Sequence, residues 1–230
     1  MRNLQSAPNL RNLRNRALSK SFYLRPTHQV ARDLLGKLFV RRLGRKILVG
    51  KIVEVEAYLG SKDPASHAYR GRTKRNEVMF WEGGHLYVYF TYGMHFCANV
   101  VTRRKGTAEA VLIRGVEPVE GVEVMRRNRM RGGRGARERG TKTRSPRQPG
   151  TLSPPYGALG LLTNGPAKFA QAFGLGREEN GSDLTGAEIF ISRGEETPSK
   201  LIGRSVRIGI NVAIEKRWRL FVKGSKWVSR

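Results

Sequence analysis

Between residues 39 and 222 the chain is broken into short runs dense in Val, Ile, Tyr and Phe: 39–43, 46–56, 85–92, 96–102, 110–116, 188–192, 205–214 and 219–222. β-Branched and aromatic side chains suit a pleated, half-buried surface, so these runs predict strands and exclude a helical bundle. Helical spacing is confined to three places. Val30, Leu34, Leu35 and Leu38 repeat at helical intervals over 30–38, with Gly36 opposing; 120–129 reads as a helix; and 166–173 follows Asn164 and Gly165 and meets a stop at Gly174. No internal repeat is present. The expectation is a mixed α/β chain of one large domain's length. A hydrophobic fraction of 39% is enough to bury a core, which excludes wholesale disorder. No apolar run approaches the roughly 20 residues of a membrane span, so no membrane partner is expected. Cys97 is the only cysteine, which excludes a disulfide scaffold and a paired-cysteine zinc finger and points to a reducing compartment.

Charge narrows the partner. The formal net charge is +26 at a pI near 11.3, and it is unevenly spread. Residues 1–25 hold six Lys/Arg and no acid, and residues 126–150 hold ten against Glu138 alone. Residues 1–21 lack the apolar centre of a secretory signal and are read as a basic flexible arm, with a transit peptide as the alternative. The Arg-, Gly- and Pro-rich stretch within 126–157 is read as a mobile basic loop. A basic body with two basic extensions is the footprint of a polyanion binder, nucleic acid before anionic lipid. His28, His67, His85 and His95 are scattered without metal-ligand spacing, so no metal is expected.

Two segments carry residues suited to chemistry. Along 51–60, period two puts Ile52, Glu54, Glu56 and Tyr58 on one side of a strand and Val53, Val55 and Ala57 on the other. An arbitrary Glu-x-Glu is a solvated strand face. Here the next fifteen residues bring His67, Arg70, Arg72 and Arg75 close behind, so a carboxylate amid that positive charge is expected to ionise easily and to serve as a general base. Along 85–99, Tyr87, Tyr89 and Thr91 share a face, with Tyr87 read as packing and Tyr89 as a stacking surface. Tyr92-Gly93-Met94 then reads as a hairpin tip, and an aromatic wedge at such a tip on a basic protein is what a minor-groove intercalator requires.

Taken together, the blocks 31–36, 52–60, 63–75, 79–80, 85–99, 110–121, 164–168, 207–209 and 218–229 resemble the alkyladenine (3-methyladenine) DNA glycosylase family, the mammalian type with bacterial members. The resemblance runs from about residue 22 to the end, apart from the Arg/Gly/Pro loop. It implies an α+β domain over 22–230 around a curved, largely antiparallel sheet with a protruding β-hairpin that inserts into DNA. It implies a monofunctional DNA repair enzyme that flips damaged purines out of the duplex, hydrolyses the N-glycosidic bond with water and leaves an abasic site. No cofactor would be needed. The partner would be double-stranded DNA containing damaged purines, the protein a monomer, and its location intracellular, with the DNA. On the residues, Glu56 matches the general base and Arg114 its partner in positioning water. Tyr58, His67 and Tyr89 match the side chains around the flipped base, and Asn99 the residue that disfavours guanine. Tyr92 matches the side chain that fills the vacated stack, Met79, Met94 and Leu112 match groove contacts, and Arg70, Arg72, Thr73 and Arg75 contact the DNA backbone. Lys74 and Lys226 stand where the family would have proline, and His95 where mammalian members have tyrosine. The rival class is a non-enzymatic nucleic-acid-binding protein of ribosomal character, which leaves Glu54, Glu56 and Glu117 unexplained in so basic a chain.

Overall fold

The computed structural model of the protein describes residues 9–91, 93–131 and 162–229. Its strands are β1 (Leu38–Leu43), β2 (Lys46–Tyr58), β3 (Leu86–Thr91), β4 (His95–Thr102), β5 (Glu109–Glu120), β6 (Ile189–Ser192), β7 (Ile202–Ser205) and β8 (Arg219–Val222). They form one eight-stranded sheet in the order β3-β4-β5-β2-β1-β6, and every ladder is antiparallel. β2 is long enough to serve two neighbours along one edge. Its first half pairs with β1 from Lys46 to Lys51, and Glu54–Glu56 then pair with β8, which carries β7 outside it. The strand that holds both candidate carboxylates is therefore bordered on each side there, by β5 and β8.

Helices pack where their apolar stripes demand. In α3 (Thr27–Leu34) Val30, Ala31 and Leu34 are buried, and in α5 (Pro166–Phe173) Phe169, Ala170, Ala172 and Phe173 are. Phe39 of β1 meets Phe169 and Phe173 edge-on at centroid distances of 5.1 and 5.3 Å, a favoured aromatic geometry. Val53, Val55 and Ala57 of β2 join Val111 and Ile113 of β5 in the same core.

Some expectations shift. The first helix ends at Leu34, because Leu35 is extended and Gly36 has φ +86. The helix expected over 120–129 is α4 (Val122–Arg131), which extends through residues 126–131 that the loop reading also covered; Met125 is fully buried there, and Asn128 Nδ2 donates to Ala172 O at 2.9 Å. The rest of that loop, like residues 1–8 and Tyr92, lies outside the described residues. Residues 9–21 do not behave as a flexible arm. They form α1 (Leu10–Asn15) and lead into α2 (Lys20–Tyr23), with Leu13 and Leu18 buried and Ala17 bridged to Ser192. Two isolated leucines were enough to anchor a segment whose charge suggested an arm.

The run 205–214 also departs from its reading. Only Ser205 belongs to a strand, because Gly209 (φ +78) and Ala213 (φ +50) turn the backbone out of the extended region. Its alternating apolar residues were real, but Val206, Ile208, Val212 and Ile214 are exposed along a looped segment.

Candidate active site

The antiparallel register between β2 and β5 slips twice beside the two carboxylates. Ile52 faces Val116, Glu54 faces Gly115 and Val55 faces Ile113, so Val53 and Arg114 have no partner in the ladder. Bulges of this kind re-aim side chains, and here they turn Arg114 toward both acids. Its Nε lies 3.1 Å from Glu54 Oε1 and its Nη1 lies 3.3 Å from Glu56 Oε1.

The expectation of a shared face for Glu54 and Glu56 fits this convergence, and the solvated face of an arbitrary Glu-x-Glu is not what these two carboxylates occupy. Both carboxylates are fully buried, because β8 covers the edge of β2 at these residues. Glu54 is saturated. Besides Arg114 Nε it accepts from Arg219 Nε at 2.7 Å, Ser229 N at 2.6 Å and Ser229 Oγ at 2.7 Å. Glu56 accepts from Ile208 N at 2.8 Å and Tyr58 O–H at 2.9 Å. Burial pushes the Glu56 carboxyl above its ordinary range, outweighing Arg114, the Ile208 amide and the Tyr58 hydroxyl, while Glu54 adds to the rise. Easy ionisation driven by Arg70, Arg72 and Arg75 is therefore corrected. All three are exposed on the loop before the Glu77–Phe80 turn, and the cation paired with Glu56 is Arg114.

Tyr58, Arg114 and Ile208, the three partners of Glu56, all line a cavity of about 310 Å³. His67, Tyr89, Asn99, Met79 and Leu112 line it too. Tyr87 and Tyr89 stack at 5.3 Å with 27° between planes, and the His67 ring stands edge-on to Tyr89 at 4.4 Å. His67 Nδ1 is 3.1 Å from Tyr87 Oη, and Asn99 Nδ2 donates to Tyr87 O at 3.2 Å. Burial raises the phenols of Tyr58 and Tyr89 and holds the Cys97 thiol up to about 11, while burial and then Arg75 lower His67. At neutral pH these walls are uncharged, so the ionic character of the site is concentrated in Glu56 and Arg114.

The sequence reading groups Met79 and Leu112 with Met94 as groove contacts. The structure separates them: Met79 and Leu112 are buried in the cavity wall, whereas Met94 is 62% exposed between β3 and β4. Arg72 pairs with Glu77 at 2.5 Å, Arg75 Nη2 donates to Phe90 O at 2.9 Å, and Arg70 and Thr73 are exposed on the same loop.

Three supports were missed. Asn76 is buried and ties the loop together, donating to His67 O and Gly71 O at 2.8 and 3.0 Å and accepting from Thr73 N at 2.7 Å. Asp63 and Arg207 form a fully buried two-pronged pair with contacts of 2.5 and 2.8 Å, and Arg207 also donates to Ala57 O and lies over the Tyr58 ring at 4.7 Å. That pair fixes the backbone immediately before the Ile208 amide that holds Glu56. Cys97, read only as a redox marker, lines the cavity. Both Asp63 and Arg207 stood in blocks carrying the family resemblance, but a partnership 144 residues apart leaves no local spacing to detect.

Residues 21–226 match the profile of the family described as Methylpurine-DNA glycosylase (MPG). A protein of Carboxydothermus hydrogenoformans named "Putative 3-methyladenine DNA glycosylase" is 45% identical over 214 residues, covering 93% of this chain and 98% of the relative. Proteins of the same name from Chlorobium phaeovibrioides and Chlorobaculum tepidum are 45% and 41% identical, each over 93% of this chain and over 96% and 90% of their own lengths.

Proposed function

The chain belongs to the methylpurine-DNA glycosylase family, and from that premise we propose that it is a DNA repair glycosylase that takes an alkylated or deaminated purine out of the duplex and hydrolyses its N-glycosidic bond. The observation that carries the reading is one arrangement: the buried Glu56–Arg114 pair directly behind a cavity walled by tyrosines, His67 and Asn99. A base in the stack cannot reach such a cavity, so the nucleotide must rotate out. Unstacking costs a few kcal/mol, least for damaged or mispaired bases. A purine carrying alkyl-induced positive charge gains about 0.5–2 kcal/mol from cation–π attraction to Tyr58 and Tyr89. His67, neutral at pH 7, offers a ring nitrogen to the base edge, and Asn99 crowds an exocyclic amine.

In the chemical step Glu56 takes a proton from water as the water oxygen bonds to the anomeric carbon. The bond to the purine nitrogen breaks with its electron pair leaving on the base, and the products are free base and an abasic site in an uncut strand. Arg114 orients the water, and the Glu56 carboxylate offsets positive charge growing on the sugar. Tyr92 fills the vacated stack with Met94 beside it, and Arg70, Arg72, Thr73 and Arg75 hold the backbone. The raised carboxyl favours this role, since a base works best with a proton affinity near the operating pH.

The test is incubation with alkylated duplex, followed by alkali. Breaks at the lesions after alkali but not before, absent for Glu56→Gln, are the expected result. Breaks before alkali, or lesion binding without any release of base, overturn the reading, the latter in favour of a non-enzymatic nucleic-acid-binding protein.

A further inference from the structure

A second cavity, about 740 Å³ in volume, shares no lining residue with the base cavity. It opens between α2, the end of α3 and the segment after β6, and its walls include Lys37, Arg25, Arg32 and Arg193. Lys37 is the unusual one. It is 9% exposed, yet its ammonium makes no hydrogen bond or ion pair among the described residues. Its stem is buried, while the unbonded ammonium keeps access to solvent at the cavity wall.

The burial of Lys37 is built into the backbone. Gly36 and Gly194 pass so close that a Cβ at either would overlap the other segment's backbone, at Glu195 O and Gly36 O respectively. Gly36 N donates to Ile52 O and Ile52 N donates to Lys37 O, both at 2.8 Å, which fixes the lysine beneath the 194–195 crossing. Close by, Arg25 spends Nη1 on Asp33 at 2.8 Å while its Nη2 is buried without a partner. Arg32 donates to Ser199 Oγ at 2.8 Å, which leaves its charge unneutralised, and Arg193 makes no side-chain bond among the described residues. Asp33 is committed to Arg25, and the remaining acid, Glu196, is exposed. The cavity is thus net positive, with unused donors on Lys37, Arg25 and Arg193.

We propose that this cavity is an anion site that takes a phosphate monoester. Lys37 is recessed, with 9% of the residue exposed, and a phosphodiester backbone running over the surface offers no group that projects into such a recess. A terminal phosphate does, with its remaining body in the wider cavity, whose volume falls within the usual range for small-molecule sites. The phosphate chemistry is common to inorganic phosphate, a free mononucleotide and a phosphorylated strand end. Lys37, Arg193 and the Arg25 guanidinium line the cavity and would hold the phosphate through charge-assisted hydrogen bonds.

The test uses the full chain labelled with ¹⁵N and titrated with inorganic phosphate against a background of chloride. Amide shifts concentrated at 36–38 and 193–197, saturating at one site, are expected. Lys37→Met, which keeps the stem and removes the charge, should weaken phosphate at least about tenfold and leave single-turnover base excision unchanged. If that variant fails to fold, Arg193→Gln on the exposed wall should weaken the same binding. Competition by adenosine monophosphate identifies a mononucleotide as the source, and competition by a 5′-phosphorylated but not a 5′-hydroxyl oligonucleotide identifies a strand end. Competition by neither leaves inorganic phosphate as the ligand. Shifts spread over the basic surface with none concentrated here, or binding unaltered in Lys37→Met, overturn the proposal.

Discussion

Glu54 and Glu56 lie on the same strand at the same depth, but their hydrogen bonds give them different work. Four donors saturate Glu54 and link β2 to β5, β8 and Ser229. Removing its charge leaves the buried Arg219 guanidinium without its carboxylate partner and Arg114 with Glu56 alone, so Glu54→Gln should lose stability by about 3–5 kcal/mol, seen as a lower midpoint in urea. An unchanged midpoint contradicts that anchoring role. Glu56→Gln should instead slow excision by about 10²–10⁴-fold while lesion binding survives. Single-turnover rates near those of the unaltered chain remove Glu56 as the base. The pH dependence follows from burial, which leaves the folded Glu56 holding its proton more tightly than the unfolded chain does. Its contribution to stability is therefore complete below the unfolded value and is lost as pH rises through the folded one. Excision runs the opposite way, rising with pH through that same folded value as the carboxylate forms. A rate profile whose acid limb falls at an ordinary carboxylate pH, about 4.3, contradicts the assignment.

At the scale of elements, alternation along β2 was readable because a strand's side-chain period is local, and it brought Glu54, Glu56 and Tyr58 to one side. The depth of that side was not readable. It depends on β8, which pairs with Glu54 through Phe221, and no window around Glu56 contains that information. The same limit hid the slip at Arg114, and it made residues 205–214 look like a strand when Gly209 turns them toward the cavity. Blocks carrying the family resemblance located Arg114 and Asn99, whose places in the cavity wall no local pattern suggests. The loop bearing His67 and Arg70–Arg75 depends in turn on Asn76, whose side chain makes three bonds to the loop backbone. Asn76→Ala removes three part-buried hydrogen bonds, worth about 0.5–1.5 kcal/mol each. The variant should bind duplex more weakly, while excision at saturating enzyme changes little. A stable variant with full duplex affinity shows that the loop holds its shape without Asn76.

Across the whole molecule, positive charge and cavity chemistry are divided between different parts. The base cavity concentrates its ionic character in one buried pair, whereas most of the +26 lies on surfaces and in segments outside it. The division is tested by removing charge without removing side chains that build the core. Deleting the whole stretch before residue 25 is unsuitable, since it would strip Leu13, Leu18 and Tyr23 from the core. Residues 132–150 contain no large apolar side chain and hold six Lys/Arg against Glu138. Each phosphate neutralised by a cation releases condensed counterions and steepens the dependence of log K on log salt by about 0.9. If several of these cations touch the duplex, their deletion should flatten that slope by at least about 1, weaken nonspecific affinity and shorten scanning between lesions. Single-turnover excision at saturating enzyme should hold, because Glu56, Arg114 and the base cavity remain intact. Isotherms at several salt concentrations, taken with and without the segment, decide it. An unchanged slope means that the charge only solvates the protein, and a slower excision step means that the segment reaches the base cavity and that binding and chemistry are not separable in this chain.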